Sequence, residues 1–208
     1  MPPLSVHLHL AVLFWQQHPA NLMDRLIFAL GSVAPDACDL SDSQAFQRHH
    51  MVTPHGRPDD WQRQELCAAH QHAVGAEAVF LSAYRLHLWL DDWVHTHDTA
   101  LPMAVAGNLS LDEQRARRRA ALAYLDAQAV QPYREELHRE LLAGRAVFQP
   151  VMELGFLDHA QVAAVLQHTL DLLRDAALRT PPEPLPVSTT RYEGFLQEAL
   201  KEWMQIDC

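Results

Sequence analysis

Along most of the chain, apolar residues return every three or four positions, the spacing of one face of an α-helix, and no stretch alternates apolar with polar residues as a half-buried strand would. The pattern predicts an all-α protein. A first helix is expected from about Leu4 to Gln17, stopped near Pro19, and a second from Asn21, as N-cap, to Leu30, with Gly31 as C-terminal cap. Between Ser32 and Pro58 the residues Pro35, Pro54, Gly56 and Pro58 break the periodicity and predict a long loop, with a short helical turn around Ser43 to Arg48. Helical periodicity resumes from Asp59 to about His97, with Gly75 the place where it would break. Ser110 to Glu113 forms a capping box that opens a helix to about Val130. Pro132 starts another to about Phe148, Asp158 caps one to about Leu178, the run Pro181 to Pro186 ends it, and Ser188 or Thr189 opens the last, to about Ile206. The expectation is a single-domain bundle, residues 1–208, of about seven helices around a central buried one. A chain of this length buries a core without disulfides or a structural metal.

The segment Ala83 to His97 is the unusual one, because imidazoles and carboxylates interrupt a helix that is otherwise apolar on nearly every side and so is predicted to be buried. Phe80, Tyr84, His87, Asp91 and Val94 form one stripe, which puts polar groups where packing calls for Leu or Ile. His87 and Asp91 are four residues apart, which on a helix brings their Cβ atoms within roughly 5–6 Å. A buried carboxylate is costly unless it is paired or coordinates a metal, so the pair suits either a satisfied hydrogen bond or a shared ion. His95 and His97 follow one to two turns later, each within reach of an adjacent ion.

Other candidates lie upstream. Asp36 follows the end of the second helix, with Pro35 fixing the backbone that presents it; an ionised carboxylate only accepts, which makes it a hard metal ligand or, alternatively, a cap. His49 and His50 are adjacent and splay about 100° apart on a helix, so one of them, with His50 preferred, points into any given site. His7 and His9 lie on opposite sides of the first helix, with His7 preferred and His9 in reserve.

Composition narrows the field. The 14 histidines give an unusual supply of metal-binding imidazole, although His138, His159 and His168 fall in polar amphipathic stretches and are expected to be solvated. With 26 acidic residues against 16 basic ones, a net charge of −10 argues against phosphate backbones and anionic lipid surfaces as partners. The basic run Arg115 to Arg119 follows Asp112 and Glu113 on what is expected to be a solvated helix face. Cys38, Cys67 and Cys208 are odd in number and scattered, which excludes a disulfide framework and suggests a reducing compartment. The apolar run Leu4 to Trp15 has no preceding Lys or Arg, is interrupted by His7 and His9, and is too short to span a bilayer, so a soluble, cytoplasmic protein with no stable membrane insertion is expected.

The order His7, Pro35-Asp36, His49-His50, then His87-x-x-x-Asp91 with His95 close behind resembles the bacterial zinc-dependent phospholipase C family. The resemblance covers about the first 100 residues, which would carry the site, leaving 101–208 as supporting helices. It implies an all-helical fold in which His7, Asp36, His50, His87 and Asp91 ligate one or two divalent ions, zinc first, with Asp91 or Asp36 as a bridge. No export signal is expected from the first residues, and no His-x-x-x-Glu element follows the central helix, in both of which the chain departs from the secreted members, so the likeness bears on a metal site more than on phospholipid as substrate. Shorter likenesses are His7-Leu-His-Leu-Ala11, which is similar to the opening of acyl-carrier-protein phosphodiesterases, and His97-Asp98, the dipeptide of HD-domain phosphohydrolases.

Together these observations predict a metal-dependent phosphoester hydrolase acting on a small-molecule or lipid phosphoester, with His7, Asp36, His50, His87, Asp91 and His95 as metal ligands. Asp39 and Asp92 are the spare carboxylates that can act as general base. The rival is a non-catalytic helical protein in which the same cluster holds a structural metal or a buried hydrogen-bonded network.

Overall fold

The computed structural model describes residues 4–38, 42–97, 110–142, 159–179 and 187–206, and among these every regular element is helical. Helix α1 (Leu4–Gln17) is followed by α2 (Leu22–Val33), a single 3-10 turn (Ala34–Ala37), α3 (Ser43–His49), α4 (Asp60–His72), α5 (Ala76–His97), α6 (Leu111–Leu142), α7 (His159–Ala177) and α8 (Thr189–Trp203). No helix of the described residues is long and apolar enough to cross a membrane. Asp39, Asp98, Phe148, Asp158 and the run Pro181 to Pro186 lie outside the described residues.

Local chemistry accounts for most of the boundaries. The Asn21 side chain accepts from the Asp24 amide, Asp59 from Gln62 and Ser188 from Arg191, each satisfying an orphan donor at a helix start. Ser110 and Glu113 exchange hydrogen bonds as a capping box. Gly75, at φ 60°, makes the break between α4 and α5.

Two expectations are corrected. Gly31 does not end α2, which continues to Val33. A Cβ at that position would stand 2.6 Å from the Phe80 carbonyl oxygen and 2.9 Å from Ala83 Cβ, so the glycine is there because α2 and α5 cross with their backbones almost touching. That pair forms the most extensive helix contact among the described residues. Nor does Pro132 start a new helix; α6 runs through it. Pro132 and Gln128, whose carbonyl loses its amide partner, are both exposed, so the missing bond falls where water replaces it. Ala121, Leu125, Val130 and Leu137 keep one face of α6 buried on both sides of the proline, against α1 and α7.

The middle of α5 is enclosed almost all round: Phe80, Leu81, Ala83, Tyr84, Leu86, His87, Leu88 and Leu90 are buried, and Ser82, Arg85 and Trp89 are half-buried. Tyr84 donates to the His49 carbonyl at 2.5 Å and Trp93 Nε1 donates to Glu202 at 2.9 Å, tying α5 to the end of α3 and to α8. Trp15 is buried in the core and Trp61 is exposed.

The α2–α5 crossing has no room for a methyl group. Gly31→Ala is expected to lower stability by about 1–3 kcal/mol through forced separation of the two backbones. Urea unfolding of the variant checks this, and an unchanged midpoint would show that the crossing is looser than the contact distances imply.

Candidate metal centre

Four elements bring five of the predicted residues together: His7 from α1, Asp36 from the 3-10 turn, His50 from the end of α3, and His87 and Asp91 from α5. His7, Asp36 and His87 form one group that can hold an ion, and His50, His87 and Asp91 form a second that shares His87. All three histidines are buried, with Asp36 at 6% and Asp91 at 15% side-chain exposure.

Each residue is aimed by its own backbone surroundings. The α2–α5 contact at Gly31 places the Ser32 carbonyl 2.8 Å from His87 Nδ1, which donates to it and leaves the Nε2 lone pair facing the carboxylates. Pro35, inside the 3-10 turn, fixes the backbone that carries Asp36 inward. His50 is the C-cap residue of α3; its Nδ1 donates to the Phe46 carbonyl at 3.2 Å and its ring stacks on Phe46 at 4.1 Å, again turning Nε2 inward. The next residue, Met51, adopts φ 48°, and the bonds Met51 N–H to Arg48 and Val52 N–H to Gln47 complete a Schellman turn with methionine where glycine is usual. The buried Met51 side chain helps hold that strained turn in place.

Inside the cluster, polar atoms face one another without bonding. His7 Nε2 lies 3.4 Å from Asp91 Oδ1, His50 Nε2 3.3 Å from Asp36 Oδ1 and 3.8 Å from Asp91 Oδ2, and His87 Nε2 3.5 Å from Asp91 Oδ2 and 4.0 Å from Asp36 Oδ2. His7 Nε2, His50 Nε2, His87 Nε2, Asp36 Oδ1 and Asp91 Oδ1 are all buried and have no hydrogen-bond partner. Orphaned polar atoms are rare in protein interiors, and five in one cluster mean that something satisfies them together. Ligand bonds of about 2.0–2.1 Å in tetrahedral geometry put neighbouring donor atoms roughly 3.4 Å apart. Within the two groups, His87–Asp91 has about that length and His50–Asp91 and His87–Asp36 are somewhat longer, so the residues present can close on a divalent ion.

The electrostatics agree. Burial works to lower the His87 pKa, but Asp36 and Asp91 outweigh it and raise it above the ordinary value. Burial, reinforced by the neighbouring His87, lowers that of His7, whose ring stacks on His87 at 3.6 Å. Burial opposes ionisation of both carboxylates, yet His87 and the other imidazoles hold Asp36 below, and Asp91 far below, the usual range. Without a metal, the two carboxylates favour a proton on His87.

The remaining candidates are placed elsewhere. His9 faces the opposite side of α1, where its Nδ1 donates to Asp126 at 2.9 Å beside Ser5 and Tyr192, which also donate to Asp126. Asp126, fully buried, was not singled out from the sequence, although it interrupts an apolar stretch of α6 in the way that Asp91 interrupts α5. His49 supplies its backbone carbonyl to Tyr84, and its ring belongs to neither group. His95 is exposed and lines the adjoining cleft, also outside both groups. His97 bonds the Trp93 carbonyl of its own helix and stacks on the Trp93 ring. Asp92 is ion-paired with Arg63. The Arg115 side chain is exposed, near Asp112, as expected of a solvated face.

Compared with known proteins, the chain matches no family model, no curated protein and no solved structure.

Stability should follow these shifts. The His87 contribution is complete below its unfolded value of 6.5 and is lost as pH rises through its raised folded value. Those of Asp36 and Asp91 are complete above 3.8 and are lost as pH falls through their depressed values. The lowered His7 value makes stability climb with pH only up to 6.5. Metal-free protein should therefore lose thermal stability as pH rises above 6.5, and a bound divalent ion should abolish that loss by replacing the proton. Melting temperatures of chelator-treated and metal-loaded protein across this range test it; a flat metal-free profile would remove the imidazolium from the centre.

Proposed function

We propose that the protein is a metal-dependent hydrolase of a phosphoester, with one divalent ion, zinc first, held by side chains from the set His7, Asp36, His50, His87 and Asp91. The observation that carries this reading is the convergence of five orphaned polar atoms, from residues scattered along the chain, in a cluster of which His50 and Asp91 line a cleft. Such an ion lowers the pKa of a coordinated water towards neutrality and polarises the phosphoryl oxygens. Because His87 Nδ1 is committed to Ser32, only Nε2 remains, and one lone pair serves one ion; the two overlapping groups are alternatives for a single site more readily than two sites at once. Each group has three protein donors, which in tetrahedral coordination leaves a position for water. The cleft reaches His50 and Asp91 of the second group, which supports access of solvent and substrate to an ion held there. The resemblance to zinc-dependent phospholipases C supports the same chemistry from the order of the ligands.

The competing reading, a structural metal, has the depth of the cluster in its favour: with all five side chains bound, no position would remain for water.

Metal analysis combined with hydrolysis of bis-p-nitrophenyl phosphate separates the two. Wild-type protein should purify with, or take up, one equivalent of metal and turn over the ester. Asp91→Asn, which keeps the shape and removes the charge, should retain helical circular dichroism while losing metal and about 100-fold in rate. His168→Ala, on an exposed site of α7, should change neither. Stoichiometric metal without turnover on a panel of phosphoesters would establish the structural reading, and full metal content in Asp91→Asn would remove Asp91 from the ligand set.

A further inference from the structure

Beside the cluster lies a cleft of about 310 Å³. One side of it is apolar, made by Phe46, Val52, Pro58 and Leu88, and it is bordered by Asp91 and His50 of the metal cluster and by Arg63 of α4. Arg63 is the only Lys or Arg among the described residues that line it. Its Nη1 is held by Asp92, the residue next to Asp91, while its Nε is buried and has no hydrogen-bond partner.

We propose that this cleft seats the single ring or short chain of a small phosphoester, and that Arg63, aimed by Asp92, binds the phosphoryl oxygens beside the metal cluster. The proposal rests on the phosphoester reading and narrows its substrate class. A guanidinium is permanently charged, and its planar fork of donors matches a phosphoryl group. A buried donor without a partner carries a desolvation cost that a ligand oxygen relieves. One donor of Arg63 is already spent on Asp92, which fixes the plane of the guanidinium and leaves further donors for the ligand. This assigns Asp92 to positioning Arg63 instead of to proton transfer. The volume bears on the substrate: a cavity of roughly 150 Å³ encloses one benzene. The cleft has space for a phosphoryl group and one ring, whereas the two long chains of a membrane phospholipid would have to stay outside it, without apolar cover.

The test uses the metal-loaded full chain. Inorganic phosphate binding is measured by calorimetry, and kcat/KM is measured on p-nitrophenyl phosphate, bis-p-nitrophenyl phosphate and a dispersed two-chain phosphatidylcholine. Arg63→Gln should bind phosphate about ten- to a hundredfold more weakly and lose a similar factor in kcat/KM at unchanged metal content, with partial recovery in Arg63→Lys. Val52→Trp, which fills the apolar side, should raise KM for the aryl esters and leave phosphate binding intact. The phosphatidylcholine should not be turned over. Wild-type protein that binds metal but neither binds phosphate nor cleaves any ester defeats the phosphoester reading itself. Wild-type turnover with Arg63→Gln unchanged in phosphate affinity, or faster turnover of the phospholipid than of the aryl esters, overturns this proposal alone. Should Arg63→Gln fail to fold, Arg63→Lys and Val52→Trp decide it.

Discussion

Two carboxylates, Asp36 and Asp91, are held in the interior of a helical protein with imidazoles as their ion-pair partners among the described residues, and the character of the site follows from that constraint. Taking one carboxylate out of water costs several kcal/mol, and two of like sign repel as well. An internal Arg or Lys bonded to each would be the usual remedy. Here the three nearest bases are His7, His50 and His87, which near neutral pH can be neutral donors of a lone pair as easily as cations. Such a cluster is stabilised by positive charge at its middle, which a proton on His87 can supply. The raised His87 and depressed Asp36 and Asp91 pKa values are the same constraint seen from each side.

The surrounding helices can be understood as what holds that constraint in place. The Gly31 contact lets α2 approach α5 until the Ser32 carbonyl reaches His87, and the 3-10 turn three residues later delivers Asp36 to the same point. The Tyr84 bond to His49 draws the end of α3 against α5, so that the Schellman turn at Met51 leaves His50 facing inward. On the far side of α1, the network of Ser5, His9, Tyr192 and Asp126 anchors the helix that carries His7. His7 and His9 are two residues apart, so fixing His9 towards α6 directs His7 towards α5.

Much of this was legible in the chain because it is local. Helix α1 has the bounds its pattern predicts, the α4–α5 break falls at Gly75, and the polar stripe Tyr84, His87, Asp91 marks the face of α5 that meets the cluster. The i, i+2 spacing of His7 and His9 sufficed to say that they diverge. What escaped is tertiary. Gly31 has the same composition signal whether it caps a helix or lets another helix approach, and only the position of Phe80 distinguishes the two. Pro132 breaks a helix unless the freed carbonyl faces water and both flanking segments pack on one neighbour. Asp126 and the Arg63–Asp92 pair join residues far apart in sequence, and no spacing rule connects them.

The same distinction between local and tertiary information bears on how many ions the cluster suits. Counting candidate ligands along the chain gives enough donors for two, since six residues of the right type recur in a suggestive order. The backbone bonds reduce that supply. Ser32 takes one nitrogen of His87 and Phe46 takes one of His50, so each ring offers a single lone pair, and the two groups that can hold an ion both draw on His87 Nε2. His95, the one remaining imidazole beside the cleft, stands in solvent outside both groups. A second divalent ion would have to form its sphere from the carboxylates and water after the first had taken the imidazoles, placing four positive charges beside two carboxylates. Within this set of donors the shared His87 Nε2 therefore favours a single ion over two, and the charge of that one divalent ion already matches the two carboxylates.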